Sequence, residues 1–169
     1  MAAETQARGR NENDKHAGVS KGIAPRSVEP TRFKMKARLL EQGRTNTPLA
    51  RTGNMWATLK VYASGGENTL HAHPNEDHMF VIMEGRARFY GAKGEETDLG
   101  RHEGIMVPAG AYYWFKAIGD EPLVLLRVGA RANRKDPADR RNIMGKAMPG
   151  NSRENKRRPV IYRDDAHFE

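Results

Sequence analysis

The sequence predicts an all-β protein with one antiparallel β-barrel and polar extensions at both ends. Short segments of alternating apolar and polar residues follow one another between residues 55 and 129, and turn-forming residues bound each of them. No segment between them has convincing helical periodicity. The length of 169 residues suits one domain with a substantial core better than two.

Seven segments are predicted to be strands. The first, MWATLKVYA from Met55, places Trp56, Thr58, Lys60 and Tyr62 on one face and Leu59 and Val61 among the residues of the other. The others are TLHAH, HMFVIMEG, RARFYG, GIMVPAG, AYYWFKAIG and EPLVLLRVGA, each bounded by Gly, Pro, Asn or Asp. The earlier stretch FKMKARLLEQGRTNT fits a strand or a short helix and leads into the barrel.

The two ends of the chain differ from its middle in composition. Residues 1–32 lack apolar periodicity and are expected to form a disordered or loosely docked arm, whereas residues 33–130 form the barrel domain. Residues 131–169 form a basic extension that is partly docked through a late apolar patch. That patch consists of Val160, Ile161, Tyr162 and Phe168.

The charge distribution argues against nucleic-acid binding. The net charge is +8, but residues 33–129 carry twelve basic and eleven acidic side chains, while residues 130–169 carry eleven and six. The basic segments mix both signs and form no single basic stripe. We therefore expect no nucleic-acid partner.

The sequence has no cysteine, no run of about eighteen apolar residues and no apolar stretch near its start of the kind that a secretory signal needs. We therefore expect a soluble, cytoplasmic protein without a membrane partner. Any metal must be bound by nitrogen or oxygen ligands, because no thiolate is present.

Three of the six histidines lie within the eight residues 71–78. In a strand, His71 and His73 share one face, and a turn at PNED returns His78 toward the same point. Three converging imidazoles favour one divalent transition metal such as Zn, Fe, Ni or Cu. The alternative from the same residues is a polar substrate pocket without metal.

Two stretches resemble the two motifs of the cupins. GGENTLHAHPNEDHMFVIMEG, residues 65–85, is similar to the first motif, GxxxxxHxHxxxxExxxxxxG, and HEGIMVPAGAYYWFKA is similar to the second, GxxxxxPxGxxHxxxN. The resemblance covers about residues 55–130 and implies a single jelly-roll cupin barrel. It also implies a metal centre, which we assign to His71, His73 and His78.

The chain departs from the cupin motifs at the ligand positions. His78 stands where the family has its glutamate, Tyr113 where it has its fourth ligand, a histidine, and Ala117 where it has an asparagine. Asp77 takes the carboxylate position only if the motif's shorter spacing applies. Tyr113 is open to three interpretations, as a metal ligand, as a hydrogen-bond donor or acid that acts on a bound oxygen, and as a packing residue.

Aromatic residues on the predicted inner faces are candidates for a substrate pocket, with simple barrel filling as the alternative. They are Tyr62, Phe80, Phe89 and Phe115. Glu76, Asp77 and Glu103 are candidates for orienting the imidazoles, or are solvated loop charges.

The resemblance implies a family that includes dioxygenases, isomerases, lyases, cyclases and non-catalytic proteins. Our first expectation is a three-histidine iron dioxygenase acting on an oxygenated, enolic or phenolic small molecule, with Tyr113 assisting proton movement. The alternatives are a non-redox zinc cyclase, isomerase or lyase, and a non-catalytic binding or sensor protein. We also expect a homodimer, in which FKMKARLL or PVIY extends a partner's sheet.

Overall fold

A computed structural model describes residues 29–132, 139–150 and 158–169, and eleven β-strands lie within these ranges. The strands are β1 (Ala37–Gln42), β2 (Arg44–Arg51), β3 (Met55–Tyr62), β4 (His71–Ala72), β5 (Glu76–Glu84), β6 (Ala87–Gly91), β7 (Glu96–Leu99), β8 (Gly104–Val107), β9 (Tyr112–Ala117), β10 (Leu123–Arg131) and β11 (Ile161–Phe168). These ranges contain no helix, and therefore no helix long and apolar enough to cross a membrane.

Two antiparallel sheets form the barrel. One has five strands in the order β2-β3-β10-β5-β8, and the other has four in the order β4-β9-β6-β7. Strands distant in the sequence are neighbours in both sheets, as in a jelly roll. This architecture confirms the predicted all-β class.

The period-two alternation of the strands separates the barrel interior from its outer face. In β5, His78, Phe80 and Ile82 point inward and are fully buried. In β3, Tyr62 points inward, while Leu59 lies on the opposite face.

The barrel core is rich in aromatic side chains. The rings of Phe80, Phe89 and Phe115 lie with their centroids 4.7 to 5.5 Å apart, and Tyr62 meets Phe115 edge to face at 4.9 Å. Leu123 and Leu125 of β10 complete this cluster from the five-stranded sheet, which also contributes Phe80 and Tyr62. The aromatic cluster fills one part of the interior and leaves the part next to the histidines open.

A second apolar cluster lies on the outside of the five-stranded sheet. Strands β1 and β11 pair with each other and bury Leu40 and Phe168 against Leu59, Val61 and Val124. The stretch FKMKARLLEQGRTNT, which fitted a strand or a short helix, is thus extended. The segments FKMKARLL and PVIY, which were considered for extending a partner's sheet, instead contribute to two strands that pair with each other in the same chain.

Two left-handed residues mark the turns of the predicted motifs. Gly85, which ends the first motif, has φ 72°, and a Cβ there would lie 2.5 Å from the Pro122 carbonyl oxygen. His102, at the first position of the second motif, where the family has glycine, has φ 70°. His102 therefore forms this turn in the left-handed conformation, although histidine adopts that conformation less readily than glycine does.

We expect Phe168→Ala to lower the free energy of unfolding by about 3 kcal/mol, because it opens a cavity in the cluster beneath β1 and β11. Ile161→Ala in the same strand is the control, since Ile161 is 46% exposed and its loss leaves no cavity. Urea unfolding of both variants measures the difference. Equal effects would mean that β11 does not pack on the barrel as described.

Candidate metal centre and cavity

The histidines lie where β4 leads into β5. His71 pairs with Tyr113 of β9, His73 follows the end of β4, and His78 lies in β5. The ring centroids of His71 and His73 are 5.1 Å apart, and those of His73 and His78 are 4.4 Å apart. The turn between the strands therefore brings all three rings close together.

A possible metal site combines His73, Glu76 and His78, with one donor atom from each residue and all three atoms within 4.8 Å of one another. The Oε2 atom of Glu76 lies 3.0 Å from His73 Nδ1 and 3.2 Å from His78 Nε2. His73 Nδ1 is buried and has no hydrogen bond of good geometry to any described residue. A buried nitrogen lone pair and a buried carboxylate that face one point are donors that suit a divalent transition metal.

The protonation states of the three donors suit metal binding. Burial lowers the pKa of His78 to about 4, against the opposing effect of Glu76, and burial also lowers the pKa of His73. Burial alone would raise the pKa of Glu76, but its contacts with His73 and His78 lower it to about 2. Near neutral pH the site thus presents two neutral imidazoles and one carboxylate, so protons do not compete with a metal there.

His71 lies beside this group but is not a member of it. Its Nδ1 atom donates to the Thr69 carbonyl at 2.6 Å, which leaves the lone pair on Nε2. Burial and the charge of Arg140 lower its pKa to about 2. The structure thus keeps His71 neutral and orients its ring at the edge of the site.

Tyr113 contacts the centre through its hydroxyl, which lies 3.1 Å from His78 Nδ1. Burial raises the pKa of Tyr113 to about 12, so the phenol keeps its proton near neutral pH. The contact places an O–H group directly beside a member of the donor group. Such a group can orient His78 and exchange a proton with a bound molecule.

A positive charge already faces the donor atoms. Arg127 Nη2 lies 2.7 Å from His78 Nε2 and 4.0 Å from Glu76 Oε2. When the His78 lone pair is on Nε2, it accepts from Arg127, and the Nδ1 proton is donated to Tyr113. The guanidinium thus occupies a place next to the donors that also suits a metal cation.

Two of the three donor residues, His73 and Glu76, line a cavity of about 710 Å³, which His71 also lines. Residues from both sheets and from the segment 139–150 surround it. The charged residues that line it are Arg44, Lys60, Glu76, Arg127, Asp139 and Arg140, and the aromatic residues are Tyr62, Phe80, Tyr113 and Phe115. A volume of this size accommodates a small organic molecule.

Three of the four aromatic residues considered for a substrate pocket, Tyr62, Phe80 and Phe115, line this cavity. Phe89 instead packs in the barrel core against both Phe80 and Phe115. Of the two carboxylates considered beside Glu76, Asp77 accepts from the Ala109 amide at 2.8 Å and Glu103 from the Gly100 amide at 2.6 Å. Both are exposed and hold turns.

Sequence reasoning missed the central place of Glu76 and the positive charges of the cavity. A signal for Glu76 was present, because residues 76 and 78 alternate onto the same face of one strand. Lys60 shares a face with Tyr62 in the same way. Arg127 gave a weaker signal, because its neighbours on the inner face of β10 are apolar.

The comparison with protein families gives one match. Residues 58–129 match the family described as Cupin domain. A search of curated protein sequences finds no significant match to the chain.

Solved structures with the same fold include the TT1209 protein of Thermus thermophilus, with 24% identity, a TM-score of 0.51, and coverage of 56% of this chain and 90% of that one. The cupin domain of Schizosaccharomyces pombe Cnp3 has 22% identity and a TM-score of 0.50, covering 54% of this chain and 67% of that one. The SPY1581 protein of Streptococcus pyogenes has 19% identity and a TM-score of 0.51, covering 63% of this chain and 98% of that one. At these identities the likeness concerns the fold alone. The family match and the barrel topology together show a cupin domain at residues 58–129.

Proposed function

We propose that this protein is a metal-dependent enzyme acting on small oxygenated molecules, in which His73, Glu76 and His78 hold one divalent transition metal. The observation that carries the proposal is the convergence of two imidazoles and one carboxylate within 4.8 Å, with His73 and Glu76 at the wall of a cavity of about 710 Å³. The group differs from the three-histidine set expected from the sequence, because Glu76 joins it and His71 does not.

Iron is the ion that we favour, and a dioxygenase is the activity. Two histidines and one carboxylate with open positions are the ligand set typical of non-haem iron oxygenases, in which the ion supplies the activation of O2. The Glu76 carboxylate partly neutralises a divalent charge, and the neutral imidazoles need lose no proton. The cavity beside the group has room for an enolic or phenolic substrate.

The residues around the donors have separate tasks in this proposal. Tyr113 holds a proton at its hydroxyl, within reach of His78 and of a molecule in the cavity. The apolar rings of Phe80 and Phe115 exclude water from one side of the cavity. If His78 held a metal, its contact with Arg127 would be lost, and the guanidinium would be available to a substrate oxygen.

A second candidate is a non-redox enzyme that uses zinc, such as a lyase, isomerase or cyclase. The observation that favours it is the protonated Tyr113 hydroxyl beside the donor group, because such reactions need a proton donor and no oxidant. The two candidates share the metal ligands and differ in their need for O2.

Glu76→Gln is expected to weaken binding of Fe(II) and Zn(II) by about 100-fold or more, because it removes the only anionic donor of the proposed group. His71→Gln is expected to weaken it by less than about tenfold, since His71 lies outside that group. Competition titrations with a chromogenic chelator, and elemental analysis of protein purified without an affinity tag, measure both.

The matched controls are Glu41→Gln and His102→Asn, which make the same kinds of change at exposed positions. Both should bind metal as the unaltered protein does. If His71→Gln abolished binding and Glu76→Gln did not, the ligands would be the three histidines expected from the sequence.

Metal binding should persist as the pH is lowered from 7 through 6.5, where an ordinary histidine would begin to take up protons. Affinity should fall steeply only as the pH approaches the pKa of His78, about 4, because below it the ring binds a proton in place of the metal. Chelator titrations at a series of pH values test this. A midpoint near 6.5 would show that His78 is not protected from protonation.

Tyr113→Phe should lower kcat by about 100-fold or more while leaving metal content unchanged, because it removes the proton and keeps the ring. Oxygen uptake with diketones and catechols, after restoration with Fe(II) or Zn(II), gives the activity. Uptake with Fe(II) alone supports the dioxygenase, whereas turnover with Zn(II) in an anaerobic chamber supports the non-redox candidate. An unchanged kcat would assign Tyr113 to packing.

A further inference from the structure

Three neighbouring strands place a cationic side chain on the same inner wall of the cavity. Lys60 of β3 is opposite Asn46 of β2 and Leu125 of β10. Arg44 and Arg127 are each displaced by two residues from those positions, so they are diagonal neighbours of Lys60 on the same face. All three line the cavity.

A fourth cation comes from the C-terminal part of the chain. Residue Arg141 bridges to Ala72 of β4, and the Arg140 carbonyl accepts from the Met148 amide at 2.7 Å. These contacts hold Arg140 in the wall of the cavity. The barrel strands and the C-terminal segment thus contribute positive charge to the same cavity.

The acidic side chains of the cavity wall already have partners. Glu76 lies within 3.2 Å of both His73 and His78, and Asp139 accepts from Arg141 Nε at 2.6 Å. Neither is paired with Lys60. Glu76 also lies 4.0 Å from Arg127, so Lys60 is the cation of this wall that neither acid neutralises.

Among these cations, Lys60 is the one that most lacks a neutralising partner. Its ammonium lies 5.2 Å from the centre of the Tyr62 ring, and no hydrogen bond or ion pair joins it to any described residue. Desolvation, and then the charges of Arg127, Arg44 and Arg140, lower its pKa well below the ordinary value. An ammonium in these surroundings is unfavourable until an anion accompanies it.

Arg127 links this wall to the proposed metal group. One of its terminal nitrogens contacts His78, while its Nε atom is buried without a hydrogen-bond partner among the described residues. A guanidinium presents several N–H groups in a plane that matches a carboxylate. Its remaining donors can therefore hold an oxygen of a ligand next to the donor group.

We propose that the cavity binds a small organic carboxylate, whose anionic group is held by Lys60 and Arg127 with support from the charges of Arg44 and Arg140. This inference deepens the proposed function by naming the charge class of the substrate, and it rests on that function only for the statement that the bound carboxylate is the substrate. Carboxylate binding itself requires no metal.

The test uses metal-free full-length protein and malonate as the probe, with malonamide as a neutral analogue of nearly the same shape. Isothermal titration should show that malonate binds more tightly than malonamide by about tenfold or more. Binding should weaken as the salt concentration is raised, because it is driven by charge. Equal binding of the two compounds, or no binding of malonate, would overturn the proposal.

Inorganic phosphate is the second probe, because arginine and lysine also bind phosphate groups. Weaker binding of phosphate than of malonate supports the carboxylate class. Tighter binding of phosphate would show that the cavity is built for a phosphorylated ligand, and the proposal would be wrong.

Lys60→Met should weaken malonate binding by about tenfold or more, since it removes the central cation of the wall. Lys116→Met is the matched control, because Lys116 lies in β9 outside this cavity and the change in charge is the same. Without ligand, Lys60→Met should raise the Tm, because it relieves repulsion among the buried cations, while Lys116→Met should not. A lowered Tm with unchanged malonate affinity would make Lys60 a structural residue.

Metal titration of the unaltered metal-free protein separates this inference from the proposed function. Malonate binding without metal binding would retain the carboxylate site and reject the metal enzyme. Metal binding without malonate binding would retain the metal enzyme and reject the carboxylate site.

Discussion

The site depends on the buried carboxylate of Glu76. It lies within 3.2 Å of two imidazoles and 4.0 Å from the guanidinium of Arg127, in surroundings where an unpaired charge would be costly. A buried carboxylate of this kind remains ionised only because positive or polar groups surround it. The same negative charge attracts a cation to the donor atoms. Glu76 therefore links the stability of the folded chain to the chemistry that the site can perform.

The other side of the cavity has an excess of positive charge. Arg44, Lys60, Arg127 and Arg140 bring positive charges together, and burial lowers the pKa of both Lys60 and Arg140. Such crowding lowers stability in the absence of a ligand, and functional sites commonly have this cost. The cavity therefore has one part that carries the Glu76 carboxylate and one that carries cationic side chains, with Arg127 between them.

Much of the barrel could be predicted from the sequence because its strands alternate strictly and its turns have glycine, proline, asparagine and aspartate. The strand β7, Glu96–Leu99, was missed because most of its residues are polar and exposed, so it has no apolar face to detect. The pairing of β1 with β11 was also missed. Those segments are more than a hundred residues apart, and a short amphipathic stretch does not specify its partner.

The residues of the chain were sufficient to predict the fold class and the cupin resemblance. They also place His71 and His73 on one strand face through the period of two, and His78 near them through the PNED turn. The contacts of the folded chain were needed to see that Glu76 joins His73 and His78, that Phe89 packs in the core, and that four cations line one cavity. The reason is physical: the register between strands, and the docking of residues 139–150, set the distances between side chains that are remote in the chain.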